Sequence, residues 1–79
     1  MTYREALKKE KKWQKRVIII NLYHNTMLLR KKHWNMRMSA KRLEVSLGTI
    51  SEAIKLAKAI IDNPELELLK RDEALKIIK

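Results

Sequence analysis

Cysteine and phenylalanine are absent from the 79-residue chain, and glycine and proline occur once each. Without cysteine, disulfides and thiolate metal sites are excluded, and a reducing compartment is compatible with the sequence. So little glycine and proline, together with 46% hydrophobic residues, favours helices over sheets. We therefore expect an all-α fold in one small domain over residues 1–79, with limited stability of its own.

Acidic residues are scarce in the amino-terminal half. Residues 1–43 hold thirteen lysines and arginines against two acidic residues, whereas residues 44–79 hold six basic and seven acidic ones. The formal net charge of +10 therefore belongs to the first half. A polyanion such as nucleic acid, or an anionic membrane surface, suits so one-sided a field. The alternative is that the lysines only keep a long exposed helix in solution.

Long hydrophobic runs are also lacking. The apolar run 17–20 is interrupted at Asn21 and is too short to cross a bilayer. No secretion signal is recognisable, so the default expectation is the cytoplasm, of the host cell if the protein is phage-encoded. The expected partners therefore include no membrane.

A long basic and apolar helix is expected over residues 1–29, since neither glycine nor proline interrupts it. Its apolar residues fall on two stripes, which one small domain cannot easily cover together. We expect one stripe to pack inside the domain and the other against a second copy, in a homodimer able to engage two DNA half-sites about one helical turn apart. If any segment is disordered without DNA, it is residues 1–10. The first stripe is Trp13, Val17, Ile20, His24, Met27 and Leu28, and the second is Ile18, Leu22 and Leu29.

Residues 36–55, MRMSAKRLEVSLGTISEAIK, carry the most informative spacing. Ala40 is small enough to lie where two helix backbones nearly touch. Leu43 and Val45 supply apolar groups before and within a turn, and Ser46 has the chemistry of a helix N-cap. Apolar residues then recur at i, i+3, i+4 and i+7, which gives a second helix one buried stripe. These are Ile50, Ala53, Ile54 and Ala57.

This segment resembles the helix-turn-helix family of DNA-binding proteins through the pattern A-x-x-L-x-V-S-x-x-x-[IV]. Its L-x-V-S-x-G-T-I-S-E stretch is most like small phage- and plasmid-encoded regulators and plasmid-partition proteins. Glu44 stands where the family usually has glycine, and a left-handed backbone costs more there than at glycine. We therefore expect a remodelled turn or a longer first helix. The resemblance implies a motif over residues 36–61 with the core residues Ala40, Leu43, Val45, Ile50 and Ile54. The alternative is an ordinary helical hairpin whose periodicity serves only the core.

The family's docking mode also implies which residues would touch double-stranded DNA. Hydroxyls can bond base edges or phosphates, and a lysine can reach guanine or phosphate. Glu52 can accept a bond from cytosine or pair with Lys55. The implied base-reading residues are Leu47, Gly48, Thr49, Ser51, Glu52 and Lys55. The implied phosphate contacts are Lys31, Lys32, Arg37, Lys41, Arg42 and Ser46.

Polar residues mark the ends of the remaining helices. Asn35 is expected to cap the first motif helix, with Trp34 anchoring the chain before it. Asn63 is expected to cap a further helix that Pro64 begins, because proline suits a first helical turn. One or two short helices are therefore expected over residues 64–79.

Catalytic chemistry has little support in the sequence. His24 and His33 have no third ligand at metal spacing, and His24 lies on an apolar stripe. We expect no enzyme, metal, cofactor or small-molecule substrate. The sequence favours sequence-specific binding of double-stranded DNA by a small transcriptional regulator of a phage or plasmid. A DNA-packaging or polymerase-binding adaptor with the same fold is the alternative, followed by membrane-surface binding of the first helix.

Overall fold

The structure is a computed structural model that describes residues 2–78. In this range the chain forms helices and no strand, which confirms the all-α expectation. The α-helices are α1 (Tyr3–Lys9), α2 (Trp13–Arg30), α3 (Met36–Leu43), α4 (Leu47–Asp62) and α5 (Arg71–Ile78), with a 3-10 helix at Pro64–Leu68. Met1, the first residue of the segment predicted over 1–29, and Lys79, the last residue of the segment predicted over 64–79, lie outside the described residues.

The single helix expected over residues 1–29 is wrong, because the chain leaves the helical conformation at Glu10. Arg16 explains how a break forms without glycine or proline. Its Nη1 donates to the carbonyl oxygens of Leu7 at 2.8 Å and Glu10 at 3.2 Å, satisfying acceptors that a continuing helix would have used. The break lets α1 fold back so that Leu7 is buried in the core.

The core lies between α2 and α4, which pack against each other. Val17 and Ile20 contribute from α2, and Ile50 and Leu56 of α4 have no exposed surface. The residues expected in the motif core are buried, except Val45 and Ile54, which are only half-buried. The other buried apolar residues are Leu7, Ala40, Leu43, Ala53, Ala57, Ile60, Leu66 and Ala74.

Trp34 and Asn35 hold the amino-terminal end of α3. The Asn35 side chain accepts from the Met38 amide at 2.9 Å, which confirms it as the N-cap. Trp34 packs edge-on against Tyr23, with ring centroids 6.5 Å apart, and therefore anchors the chain before α3 as expected.

The segment after α4 folds back onto the start of α2. Pro64 begins the 3-10 helix as expected, but the Asn63 side chain makes no capping hydrogen bond, so that expectation is wrong. Trp13 Nε1 donates to the Leu69 carbonyl at 3.1 Å, and Gln14 Nε2 donates to the Glu67 carbonyl at 2.7 Å. These bonds fix the carboxyl-terminal segment beside the first turn of α2.

Candidate nucleic-acid interface

A tight corner joins α3 to α4 through residues 44–46. Glu44 adopts the left-handed conformation itself, with φ 59° and ψ 43°, so neither the remodelled turn nor the longer first helix that we expected is present. Its amide donates to the carbonyls of Ala40 and Lys41, and the Val45 amide donates to the Ala40 carbonyl at 3.0 Å. A left-handed conformation costs a residue with a Cβ roughly 1–2 kcal/mol. The bonds that close the end of α3 offset that cost.

The Glu44 carboxylate connects this corner to α1. It lies 3.1 Å from Nη1 of Arg4 and 3.4 Å from Nζ of Lys8. Exposed ion pairs of this kind contribute at most about 1 kcal/mol each to stability, so their main effect is to position α1 beside the end of α3. Arg4 comes to line a shallow cavity of about 450 Å³ together with Lys41 and Arg42 of α3.

The sequence analysis did not predict that Arg4 and Lys8 of α1 lie beside the corner between α3 and α4. A signal was available, because Glu44 is the only acidic residue between Glu10 and Glu52. A single carboxylate in so basic a stretch is expected to attract lysines or arginines from elsewhere in the chain.

The amino-terminal end of α4 is capped as expected. Ser46 Oγ accepts from the Thr49 amide at 3.1 Å. Leu47 and Gly48 follow in the first turn, and both are exposed. The partial positive charge of a helix amino terminus favours anions at such a position.

Not all of the predicted base-reading residues share one side of α4. Leu47, Gly48, Ser51 and Lys55 do, and we call these four the outward face of α4; Ser51 is half-buried and the others are exposed. Thr49 instead turns toward α2, where it lines a cleft of about 210 Å³ with Val17 and Ile20. Its hydroxyl lies 2.7 Å from Ser46 Oγ.

Glu52 lies at the edge of the outward face. Its carboxylate pairs with Arg71 of α5, and not with Lys55 as one of our two interpretations had it. The carboxylate is therefore engaged within the domain. The placement of both Thr49 and Glu52 corrects the expectation that all six residues face outward together.

The geometry of Gly48 gives no reason within the folded chain for glycine at this position. Its φ is not positive. A Cβ added to it would meet Ser46 Oγ at 4.0 Å as its nearest neighbour, and that is an ordinary van der Waals distance. Glycine within a helix costs about 0.5–1 kcal/mol relative to alanine. Neither the backbone conformation nor the packing requires glycine here. The missing side chain leaves space beside the first turn of α4.

All six predicted phosphate contacts are exposed. Arg37 and Lys41 lie one turn apart on α3, so they point to the same side of that helix. Lys31 and Lys32 lie in the connection before α3, and Ser46 lies at the corner. The structure thus places exposed cations on α3 and on its approach, next to the start of α4.

A buried polar cluster fixes α3 against α2. Ser39 Oγ accepts from Nε1 of Trp34 at 2.7 Å and lies 2.6 Å from Nδ1 of His24. Trp can only donate, so the Ser39 hydroxyl hydrogen is available for a neutral His24 Nδ1. His24 is buried, as its position on an apolar stripe predicted, and burial lowers its pKa from the ordinary value of 6.5.

The lowered pKa of His24 predicts the direction in which stability changes with pH. The unfolded chain binds a proton at this residue more readily than the folded chain, so its contribution is fully present above pH 6.5 and is lost as the pH falls below 6.5. We expect the Tm of the protein to fall between about pH 7.5 and about pH 5. Calorimetry of His24→Gln should show a smaller fall over the same interval. An equal fall in both proteins would show that other groups cause it.

Two general searches of residues 2–78 bear on other kinds of site. No group of three or more His, Asp or Glu side chains is placed to hold a metal ion. None of the helices in this range combines the length and apolarity needed to cross a membrane. Compared with known proteins, the chain matches no family model, no curated protein and no solved structure.

Proposed function

We propose that the protein binds double-stranded DNA sequence-specifically through a helix-turn-helix formed by α3 and α4, as a small transcriptional regulator of a phage or plasmid. One observation carries the proposal: the outward face of α4 begins at an exposed, Ser46-capped helix end that lies beside exposed cations of α3. In this docking mode, the second helix of the motif enters the major groove and the first crosses the phosphate backbone.

The positive charge of the surface supplies the sequence-independent part of binding. Arg37, Lys41 and Arg42 lie on the helix that would cross the backbone, and Lys31 and Lys32 precede it. Arg4 adds to the same surface from α1, where the Glu44 carboxylate offsets part of its charge. Neutralising about six phosphates would give a slope of log affinity against log salt near −5.

Three side chains of the outward face supply the sequence-dependent part. Leu47 can meet a thymine methyl group, the Ser51 hydroxyl can bond a base edge, and Lys55 can reach guanine. Gly48 lets the backbone of α4 approach the floor of the groove. Glu52 and Thr49 have hydrogen-bond partners inside the domain, so we assign them supporting positions at the edge of the interface.

A selection from a random duplex library at two salt concentrations tests the proposal. Enrichment of one sequence that persists at the higher salt is the expected result. Binding without enrichment, lost at the higher salt, would leave only the electrostatic contribution. No affinity for duplex DNA at either concentration would contradict the proposal and favour an adaptor that docks on protein.

Two alanine variants separate the two contributions. Lys41→Ala should weaken all duplexes by about the same factor and reduce the magnitude of the salt slope by about 1. Ser51→Ala removes a hydroxyl from the outward face without removing charge, so it should change the preference between selected and random duplexes. Fluorescence anisotropy titrations measure both quantities. If neither variant changes DNA binding, the docking of α3 and α4 on DNA is wrong.

A further inference from the structure

The side of α2 that faces away from α4 is apolar and exposed. Ile18 is 43% exposed, Leu22 is 52% exposed and Leu29 is 89% exposed. With the exposed Asn25, these residues are spaced by four, three and four positions, which is the repeat of a helix seam that packs against another helix. We call Ile18, Leu22, Asn25 and Leu29 the outer face of α2.

We propose that the outer face of α2 pairs with the same face of a second copy of the chain, with the two α2 helices antiparallel. The four positions are symmetric about a point between residues 23 and 24. An antiparallel two-fold arrangement therefore sets Ile18 opposite Leu29 of the second copy, and Leu22 opposite Asn25 of the second copy. The same surface serves on both copies, as a closed dimer requires.

Charge favours the antiparallel over the parallel orientation. Arg30, Lys31 and Lys32 follow the outer face at the carboxyl-terminal end of α2, and a parallel pair would set both clusters side by side. At the other end, the carboxyl-terminal segment brings Glu67 to a cavity of about 460 Å³ that Lys12, Lys15 and Ile18 also line, so one carboxylate offsets part of the positive charge there.

Glu67 is held at that place through its backbone and is itself exposed. Its carbonyl accepts the bond from Gln14, so its position beside the start of α2 is fixed. Antiparallel pairing brings the carboxyl-terminal end of α2 in the second copy, where Arg30 is followed by two lysines, near Lys15 and this carboxylate. Glu67 can then compensate a contact between cations that would otherwise repel. Asn25 near the two-fold axis supplies a polar group that favours one register over others.

This pairing has a consequence that rests on the proposed function. Val17 and Ile20 face α4 from the inner side of α2, and the outward face of α4 lies on the far side of that helix. A two-fold axis between the outer faces of α2 therefore turns the two outward faces of α4 away from each other. Such a dimer bridges two duplex segments. The sequence expectation is different, because it has the dimer engage two adjacent half-sites of one duplex.

Cysteine crosslinking tests the orientation, because the chain has no cysteine of its own. Ile18→Cys and Leu29→Cys are made separately, with different tags, and oxidised alone and as a mixture. The antiparallel pair predicts a disulfide between the two variants in the mixture and little within either variant alone. Crosslinking of Leu29→Cys to itself would indicate parallel helices and overturn the proposal. Monomeric sedimentation at high micromolar concentration, without crosslinking, would also overturn it.

Neutral variants test the surface itself. Leu22→Gln should raise the dimer Kd at least about tenfold, since it places a polar group in the seam. Leu68→Gln is the matched control, because Leu68 is 88% exposed but lies outside the outer face of α2. Equal effects of the two variants on sedimentation would overturn the assignment of the surface.

Capture of a fluorescent duplex by a second, immobilised duplex tests bridging. The unmodified protein should join the two, and Leu22→Gln should bind single duplexes while losing the joint capture. If the crosslink between positions 18 and 29 forms but neither protein binds a duplex, the proposed function fails and the pairing stands. If both duplex binding and the crosslink are present without joint capture, the two outward faces of α4 do not point away from each other in the dimer, and that part of the proposal is wrong.

Discussion

Leu56→Ala is expected to lower the free energy of unfolding by about 3 kcal/mol. Leu56 has no exposed surface and lies in the core between α4 and α2, where it lines the cleft beside Val17 and Ile20. Removing its side chain loses the transfer free energy of the buried carbons and leaves a cavity that the helices can only partly close. Small domains have a total stability of about 5–15 kcal/mol, so this loss is a large fraction. Urea denaturation followed by circular dichroism measures it.

Ile54→Ala is the matched control on the same helix. Ile54 belongs to the apolar stripe predicted from the sequence, but it is only half-buried. Its truncation should cost about 1 kcal/mol, since much of the removed surface is already in contact with water. If the two variants lost equal stability, the rotation of α4 about its axis would differ from the one described here.

The contrast between these two residues shows what periodicity can and cannot predict. The stripe of Ile50, Ala53, Ile54 and Ala57 identified the helix and one buried side of it. The buried side is centred further toward Leu56, because α4 is contacted by α2, by the 3-10 helix and by α5 as well as by α3. The sequence pattern of one helix does not show how many other helices pack against it, or from which directions.

The break between α1 and α2 illustrates the same limit. Neither glycine nor proline marks it, and helix propensity alone favours continuation. The break depends on Arg16 satisfying the carbonyls at the end of α1, and on the burial of Leu7 that folding back permits. Both are tertiary effects. Capping by Asn35 and Ser46 was predictable, because a capping side chain acts on an amide only three residues away.

The candidate interface divides along the same line. Exposure of Leu47, Gly48 and Lys55 follows from the helical repeat once one side of α4 is known to be buried. The engagement of Glu52 by Arg71 does not follow, because it depends on where α5 packs. The position of Arg4 depends on the α1 break and on the pairing with Glu44. Local chemistry thus predicted the amino-terminal caps of α3 and α4 and the exposed positions of α4, and packing decided which of those positions are available to a ligand.

Gly48→Gln is expected to reduce affinity for duplex DNA about 100-fold, about 2.7 kcal/mol, while leaving the fold intact. The Cβ of the added side chain would meet Ser46 Oγ at 4.0 Å, an ordinary van der Waals distance, so the backbone of α4 need not shift to accept it. It should even raise stability by about 0.5 kcal/mol, because glutamine is the better helix former. In the proposed complex, however, it would fill the space through which the start of α4 approaches the groove. Loss of binding with equal or higher Tm is therefore a signature of a ligand at this position.

Ile61→Gln provides the control for that experiment. Ile61 is on the same helix and 71% exposed, and the substitution also introduces a neutral glutamine, but at the carboxyl-terminal end of α4. Its affinity for DNA should stay within about twofold of the unmodified protein, a difference of less than about 0.5 kcal/mol. If Gly48→Gln bound DNA as tightly as Ile61→Gln, the first turn of α4 would not enter the groove, and the basic surface of α3 and α1 would have to bind the duplex in another orientation. If both lost affinity equally, the effect would belong to α4 as a whole and not to close approach at Gly48.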